Sequence, residues 1–472
     1  MALDLTRRRF VQGSAAAGGG LVISGSLSAL AAQTARAGAR PRARGYGDLH
    51  PTPERDSGEV YLQLPEGFEY RLVSRAGEPM SDGNPTPGIF DGMAAYPGAS
   101  GSTVLIRNHE NRSRPGEVGV EVPRSKRYDQ DPNVRGGNTK LVLGRDRRAY
   151  ESFAVLGGTH TNCAGGQMPW GTWITCEEIF NYGAVEANVV PGSGVPHGYS
   201  FEVPADATGA VTPQPIVDAG RFSHEAVAWL DGVLYETEDR GDAAFYRFLP
   251  ARAPREWGDL ASFGGTLQAL VISGRPNFDA DTANPGETYP AEWVTIEDPN
   301  PITDTVRTEA QAKGAAVFTR TEGLWASDRR VHFDCTTGGE AELGQVWEYR
   351  PRGRDRDRGE LKLVYESTSP DDLQNPDNLV VVPHTGDVWV QEDGDDEQYV
   401  RGVTRRGEIY DFARTVLSDS EFCGGCFSPD HRTFFLNQQG SRLEPTETAD
   451  TQANEARGFT YAIWGPFDGR HG

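Results

Sequence analysis

The sequence has little positive charge and almost no lysine. Of its 472 residues only four are lysines, and the 68 acidic residues outnumber the 46 basic ones, which gives a formal net charge of −22. Proteins that bind nucleic acids need basic faces for the phosphate backbone, so this charge excludes nucleic acid as an expected partner. A surplus of carboxylates suits bound cations, although solubility alone also favours it.

Long apolar runs are absent as well. The most apolar stretch, from Gly13 to about Ala32, is short and rich in glycine, so we expect no stable membrane span. It follows Thr6-Arg-Arg-Arg-Phe10 and precedes Ala35-Arg-Ala37, the order that is typical of a twin-arginine export signal with a cleavage site. We therefore predict a signal peptide over residues 1–40 and a mature domain over 41–472. The twin-arginine translocation machinery would deliver this domain to the periplasm or the medium.

Cysteine is scarce, and its count is odd. At least one of the five cysteines must be free, bonded to another chain or bound to a metal. Cys423 and Cys426 have CxxC spacing, but no second CxxC completes a zinc ribbon. The sequence assigns no role to Cys163, Cys335, Cys423 or Cys426.

Helical periodicity is also scarce after the signal, and short apolar runs broken by Gly, Pro and Asp indicate an all-β protein. Six segments share one plan: an acidic residue or cysteine, a strand, a turn, a returning strand and a polar cluster. A third strand follows each hairpin, placed in the fifth segment at Glu408–Phe412. The segments begin at Asp91, Cys163, Glu225, Glu322, Asp377 and Cys423.

Repeated β-units of this size predict a six-bladed β-propeller. We expect its ring to close by pairing a C-terminal strand, residues 461–464, with an N-terminal strand at residues 70–74. In such a fold the residues that open each unit and those that end each hairpin meet at one mouth of the central channel.

The predicted mouth is crowded with carboxylates, which would repel one another unless cations neutralise them. Calcium is the expected hard cation. A thiolate beside carboxylates, as in Cys176-Glu-Glu178, would recruit a softer metal; the alternative is that Cys176 is a buried structural cysteine. Arg320, two residues before Glu322, offers a planar fork suited to phosphate, or else it only balances carboxylates through salt bridges.

At these residues the sequence resembles the PhoX-type alkaline phosphatases, exported phosphomonoesterases that depend on the twin-arginine pathway. The resemblance spans nearly the whole mature chain. It implies a propeller whose site holds iron and calcium ions around a bridging oxygen. The matching motifs are Asn108-His-Glu110, Asn162-Cys-Ala-Gly-Gly166, Pro169-Trp-Gly-Thr-Trp173, Thr175-Cys-Glu-Glu178, His224-Glu225, Arg320-Thr-Glu-Gly323, Pro376-Asp-Asn378 and Phe427-Ser-Pro-Asp430.

Carried over by motif, the resemblance implies Fe3+ and Ca2+ as cofactors, Cys176 as an iron ligand and Arg320 as the group that grips phosphate. We place Asn378 beside Arg320 in substrate binding. The remaining expected metal ligands are Glu225, Glu322, Asp334, Asp377, Glu177, Glu110 and Asp91.

The expected function is an exported, monomeric, metal-dependent phosphomonoesterase that releases inorganic phosphate from small phosphate esters. Two alternatives stay open. A calcium-dependent propeller lactonase or esterase would need neither Cys176 nor Arg320, and a non-catalytic metal-binding propeller would tolerate loss of the channel carboxylates.

Overall fold

The computed structural model describes residues 42–112, 117–180, 195–352, 357–440 and 457–469. The chain divides into two units, residues 1–41 and Arg42–Gly472. The predicted signal peptide lies outside the described residues. In the described part of the chain, no helix has the length and apolar character that a bilayer span requires.

The described part of the second unit is built almost entirely of antiparallel strands, as the sequence predicts. Its two α-helices are short, α1 (Asp259–Phe263) and α2 (Val306–Ala312). The described residues also contain four 3₁₀ helices of three residues each: Ala99–Gly101, Arg124–Lys126, Val217–Ala219 and Ala280–Thr282.

The strands within the described ranges form five hydrogen-bonded sheets. One sheet contains β4 (Phe90–Pro97), β5 (Thr103–His109), β6 (Gly136–Leu143) and β7 (Ala149–Thr159). A second contains β8 (Asn162–Gln167), β9 (Thr172–Glu177) and β10 (Ser200–Pro204). A third contains β24 (Phe422–Phe427), β25 (Phe434–Gln438), β26 (Phe459–Trp464) and β3 (Glu69–Arg75).

The two larger sheets hold the remaining strands. The six-stranded sheet contains β1 (Leu49–Thr52), β2 (Leu62–Pro65), β23 (Ile409–Thr415), β22 (Tyr399–Val403), β21 (Val388–Glu392) and β20 (Pro376–Val381). The nine-stranded sheet contains β11 (His224–Leu230), β12 (Val233–Glu238), β13 (Tyr246–Pro250), β14 (Gly265–Ile272), β15 (Thr288–Thr295), β19 (Arg358–Glu366), β18 (Gln345–Arg352), β17 (Arg330–Cys335) and β16 (Thr321–Ser327).

All six predicted hairpins are present. They are β4–β5, β8–β9, β11–β12, β16–β17, β20–β21 and β24–β25. The prediction for the fifth unit is wrong in one respect, since Glu408–Phe412 falls largely in the fourth strand, β23, while the third strand is β22. The run 399–403 between Gln398 and Thr404 is short enough that the sequence pattern alone did not separate it from the acidic loop before it.

The arrangement is propeller-like. The first strands of the six hairpins, β4, β8, β11, β16, β20 and β24, each pack against the next, and β24 packs against β4. The predicted six separate sheets are not observed, because β15 pairs with β19 and joins two units into the nine-stranded sheet. The edge strands of that sheet, β11 and β16, pack against each other, so the sheet nearly closes on itself.

The ring closes as predicted. The C-terminal strand β26 pairs with the N-terminal β3, with Tyr461 opposite Leu72 and Ile463 opposite Tyr70. Aromatic side chains also pack across this closure, where the rings of Tyr70 and Tyr461 meet edge to face with centroids 5.9 Å apart. Burying a side chain of this size contributes roughly 2–3 kcal/mol, so the closure is held by packing as well as by the β-ladder.

Candidate metal centre

The residue that opens each predicted unit occupies one equivalent position in the structure. In all six hairpins it is the second residue of the innermost strand. A shift in the strand register follows at once, so that two residues of the innermost strand face one residue of its partner, as in a β-bulge. We call this set the mouth ring: Asp91, Cys163, Glu225, Glu322, Asp377 and Cys423.

The residue after each member of the mouth ring is small, except Asn378 in β20. These residues line the channel: Gly92, Ala164, Ala226, Gly323, Asn378 and Gly424. A Cβ added to Gly92 would meet the Cys163 carbonyl oxygen at 2.9 Å, and one added to Gly424 would meet the Asp91 carbonyl oxygen at 2.4 Å. Glycine at these two positions therefore lets neighbouring innermost strands approach one another.

Four innermost strands are entered through a residue with left-handed backbone, namely Ile89, Thr161, Arg320 and Asn375, with φ between 47° and 55°. This conformation is unfavourable for residues other than glycine and concentrates at functional sites. At Arg320 it is held on both sides, since the Arg320 amide donates to the Arg240 carbonyl at 2.9 Å and the Thr336 amide donates to the Arg320 carbonyl at 2.9 Å.

Three carboxylates of the mouth ring come together. Glu225, Glu322 and Asp377 are all buried and place one oxygen each within 4.8 Å of the others. Burial raises the pKa of Glu225 well above its usual range, and the charges of Glu178 and Asp377 raise it further. Burial likewise raises the pKa of Glu322, with Asp239 and Asp377 adding to the effect.

This group has the properties of a cation site. The Oε2 atom of Glu225 is buried and has no hydrogen-bond partner, and an unmet buried oxygen is costly unless something outside the chain satisfies it. Oxygen ligands in this number suit a hard cation. A second group consists of Asp377, Asp393 and Glu421, and it shares Asp377 with the first. One carboxylate oxygen of each residue again lies within 4.8 Å of the others.

Arg320 lies against the same carboxylates. Its Nε and Nη2 donate to the two oxygens of Asp239 at 2.7 and 3.1 Å, and Nη2 also donates to Glu322 at 2.5 Å. The side chain is 24% exposed. The guanidinium is therefore a partner of two carboxylates and is also partly exposed, which is compatible with both roles considered from the sequence.

Glu177, a predicted metal ligand, is bound by donors of the chain, and its role as a ligand stays a prediction. Its Oε1 accepts from His197 Nδ1 at 2.6 Å and from the His160 amide at 3.0 Å, while Oε2 accepts from the amides of Gly198 and Tyr199 at 2.9 and 3.3 Å. Both oxygens are thus committed to donors of the chain itself. Adjacent acidic residues point to opposite faces of a strand, and the CEE motif does not reveal which one faces the channel.

Glu110 is also bound by side chains of the chain, and its role as a metal ligand likewise stays a prediction. Arg112 donates to its Oε1, and Gln439 Nε2 donates to its Oε2 at 2.8 Å. Arg112 also donates to Glu178 at 3.0 Å. The chain thereby supplies its own counter-charge at this side of the mouth.

The predicted thiolate, Cys176, lies on the second strand β9 rather than on an innermost strand, and belongs to neither group of carboxylates. Its Sγ lies 3.6 Å from Ser200 Oγ, and it packs with apolar residues such as Ile174 and Leu234. All five cysteines are free and buried, so Cys176 is not half of a disulfide. The mouth ring contains Cys163 instead, which the sequence analysis placed at the opening of its unit without assigning it a role.

Two further predicted ligands stand apart from the grouped carboxylates. Asp91 is in the mouth ring and is 3% exposed, but it is outside both groups. Asp334 lies opposite the bulge of β16, fully buried, and neither of its oxygens has a hydrogen-bond partner. The predicted substrate residue Asn378 lines the channel, donates to Asp377 at 3.3 Å and accepts from the Gly424 amide at 3.0 Å.

Sequence reasoning did not single out two residues that matter. Asp239 accepts hydrogen bonds from Arg320 through both carboxylate oxygens. Its position at the end of a predicted hairpin was the sequence feature that could have placed it at the mouth. His197 is fully buried between Glu177 and Asp129, whose Oδ2 lies 3.3 Å from His197 Nε2. No sequence signal connects these three residues, because their contacts span up to 68 positions.

The profile of the family described as alkaline phosphatase PhoX matches residues 45–155 and 146–441 of this chain. The chain belongs to the PhoX alkaline phosphatase family. Among solved structures, PhoX of Pseudomonas fluorescens in complex with vanadate, a transition-state analogue, is 17% identical with a TM-score of 0.65. That match covers 89% of this chain and 98% of the other.

Weaker structural matches include the RRP9 WD40 repeats, 8% identical over 88% of this chain and 99% of the other, with a TM-score of 0.41. The sialidase of Trypanosoma rangeli in complex with the inhibitor DANA is 9% identical over 84% of this chain and 59% of the other, with a TM-score of 0.35. A search of curated proteins gave no match.

Proposed function

We propose that this PhoX family member is a metal-dependent phosphomonoesterase that releases inorganic phosphate from small phosphate esters at the mouth ring. The observation that carries the proposal is the buried group of Glu225, Glu322 and Asp377 with the Arg320 guanidinium bonded to Glu322. Three carboxylates and one arginine fork in a single mouth are the equipment that phosphoryl transfer requires.

Each group has a defined task. Glu225, Glu322 and Asp377 would hold cations, which supply charge neutralisation and an activated oxygen nucleophile when bound. Arg320 would present its fork to a phosphate oxygen in competition with Asp239, and the interaction strengthens as negative charge builds on that oxygen. Asn378, beside Asp377 in the channel, would orient the bound phosphate.

We propose Ca2+ for the grouped carboxylates, because hard cations prefer oxygen ligands. We propose Fe3+ as the second kind of ion, in keeping with the family resemblance and with thiols in the mouth ring. The calcium-dependent lactonase remains a candidate, but it does not account for an arginine fork placed against Glu322 and Asp239.

We also propose that the fold is a six-bladed propeller. In this propeller β11–β14 form one blade, β16–β19 form another, and β15 joins the two. The closed order of the six innermost strands supports this count. The twin-arginine motif at residues 6–10 supports export to the periplasm or the medium. Replacing Arg7 and Arg8 with lysine should leave the protein in the cytoplasmic fraction.

Three esters that share the p-nitrophenol leaving group test the proposed function. Purified protein is assayed with p-nitrophenyl phosphate, bis(p-nitrophenyl) phosphate and p-nitrophenyl acetate, before and after chelation and after return of Fe3+ and Ca2+. We expect turnover of the monoester, its loss on chelation and its recovery with metals. Turnover of the acetate alone would favour the esterase, and no turnover by fully metal-loaded protein would favour a binding propeller.

A further inference from the structure

Asp239 and Arg320 form a bidentate ion pair beside the mouth ring. Arg320 Nε donates to Asp239 Oδ1 at 2.7 Å, and Nη2 donates to Oδ2 at 3.1 Å. This planar arrangement of two hydrogen bonds is also the one in which arginine binds phosphate. The fork that the proposed function assigns to the substrate is therefore occupied by a carboxylate of the chain.

The hydrogen bonds of Nη2 decide whether phosphate can share the fork. A guanidinium has two edges that can make paired hydrogen bonds, Nε with Nη2 and Nη1 with Nη2, and both of them include Nη2. This nitrogen carries two hydrogens, and it donates to Asp239 and, at 2.5 Å, to Glu322. Phosphate can therefore be bound through two hydrogen bonds only if one of the carboxylates gives up its contact.

The contact with Asp239 is the more exposed of the two. The side chain of Asp239 is 12% exposed, whereas that of Glu322 is 2% exposed. Glu322 also belongs to the group of three buried carboxylates in the mouth ring. An anion that arrives from solvent reaches the edge of Arg320 that Asp239 holds before it reaches Glu322, so we expect the exchange at Asp239.

The main chain around Asp239 is bonded to the residues that enter β16. The Arg320 amide donates to the Arg240 carbonyl at 2.9 Å. Thr321 Oγ1 donates to the Glu238 carbonyl at 3.0 Å and accepts from the Glu238 amide at 2.9 Å. The neighbours of Asp239 on both sides are thus fixed to the neighbours of Arg320, which keeps the carboxylate beside the guanidinium when the fork turns away.

Helix α2 holds the same turn, residues 239–242, through two side chains. Arg307 Nε donates to Asp242 Oδ1 at 2.8 Å, and Gln311 Nε2 donates to the Asp242 carbonyl at 2.6 Å. The turn is therefore bonded both to the entry of β16 and to α2. Asp239 is a fixed partner for Arg320, because its main chain is restrained at both ends of the turn.

We propose that Asp239 is an internal competitor of phosphate, which occupies the Arg320 fork in the free enzyme, is exchanged for phosphate oxygens on binding and takes the fork back when inorganic phosphate leaves. The inference rests on the proposed role of Arg320 as the group that grips phosphate. Binding then has to replace an existing ion pair, which lowers the affinity for phosphate. Release leaves no unpaired guanidinium, because Asp239 accepts its hydrogen bonds again. Asp239 thereby limits inhibition by the product.

The phosphate affinity of metal-loaded protein tests this exchange. In titration calorimetry with inorganic phosphate, at a metal content verified by elemental analysis, the dissociation constant of Asp239→Asn should be about tenfold below that of the wild type. The matched control, Asp242→Asn, removes the same charge from the same turn and should stay within about twofold of the wild type. Unchanged or weaker binding by Asp239→Asn, an equal gain in both variants, or loss of a metal ion from Asp239→Asn overturns the proposal.

A second comparison separates exchange at the fork from simple repulsion between Asp239 and phosphate. If Asp239 acts through Arg320, adding Asp239→Asn to Arg320→Ala should leave the dissociation constant of that variant unchanged within about twofold. The same tenfold gain in both backgrounds would mean that the charge of Asp239 acts on phosphate without the fork, and the proposal would be wrong.

Crystal structures of the metal-loaded wild type need no variant to fold. Without phosphate, Arg320 Nε and Nη2 should contact Asp239, and with phosphate bound they should contact its oxygens instead. A phosphate complex in which Asp239 keeps both hydrogen bonds overturns the proposal. Monoester turnover without tighter phosphate binding by Asp239→Asn would overturn this inference alone, whereas tighter binding in a protein without turnover would overturn the proposed function alone.

Discussion

Two buried acidic regions of this protein look alike in sequence and differ in the structure. Glu177 receives four donors from the chain, from His197, His160, Gly198 and Tyr199. Glu225, 2% exposed, has an Oε2 atom with no donor and two carboxylates within 4.8 Å. A buried carboxylate that the chain satisfies holds the fold together, whereas one that the chain leaves unsatisfied needs a cation or a proton to neutralise it.

The largest expected effect comes from replacing a glutamate carboxylate with an amide in each of the two regions. Glu225→Gln should remove a cation ligand, lower the metal content by about one ion per chain and reduce kcat/KM for a phosphomonoester by at least ~1,000-fold. Glu177→Gln should keep metal content and turnover within about tenfold and lower the melting temperature instead. Elemental analysis, steady-state kinetics and thermal unfolding measure the three quantities. Equal metal loss in both variants would contradict the comparison.

Arg320 is the next test, because it joins the cation region to the substrate. If its fork grips phosphate, Arg320→Ala should lower kcat/KM by on the order of 100- to 1,000-fold at full metal loading. Arg320→Lys should rescue poorly, since an ammonium keeps the charge and loses the fork. If Arg320 only balances Asp239 and Glu322, the lysine variant will keep near-normal turnover and the alanine variant will lose stability or metal.

The region around Glu177, whose carboxylate is fully hydrogen-bonded, leads to a prediction about how stability depends on pH. Burial opposes the charge on His197, but Glu177 and Asp129 outweigh it and raise the pKa of His197 to about 9. A folded-state pKa above the unfolded value of about 6.5 means that the protonated histidine stabilises the fold. That stability, on the order of 3 kcal/mol, is fully present below pH 6.5 and is lost as pH rises through 9.

Chemical denaturation of the wild type and His197→Gln between pH 6 and 10 measures this term. The wild type should lose more stability than the variant over that range, because the variant has no proton to release at this site. Parallel pH profiles for the two proteins would show that His197 does not carry the effect.

The sequence predicted the repeated hairpins, but it did not predict which side chains face the channel. The six hairpins follow from strand and turn patterns, which are local, and the closure of β26 on β3 follows from the ring that repeated β-units imply. The pairing of β15 with β19 does not follow from either, because these strands lie outside the repeated three-strand pattern. Glu177 and Glu178 are adjacent in the chain, and only the fold decides which of two neighbours faces the channel.

The smallest expected effect concerns Asp334, which shares properties with both regions. Asp334 has two buried oxygens without partners, like Glu225, yet it lies opposite a bulge rather than in the mouth ring. At the equivalent position in other units, Asn108 donates to the Cys163 carbonyl at 2.7 Å, Thr237 to the Glu322 carbonyl at 2.6 Å and Asn437 to the Asp91 carbonyl at 2.6 Å.

These three residues are donors that join one unit to the next, which Asp334 can imitate only as a neutral carboxylic acid. Burial, with the charge of Asp377 adding to it, raises the pKa of Asp334 well above its usual range and favours that form. Asp334→Asn should then keep metal content and change kcat/KM by less than about tenfold, because the amide supplies the same donor. Asp334→Leu fills the site without a donor and should lower stability by about 1–3 kcal/mol. Loss of a metal ion in Asp334→Asn would instead place Asp334 among the ligands, as its motif first implied.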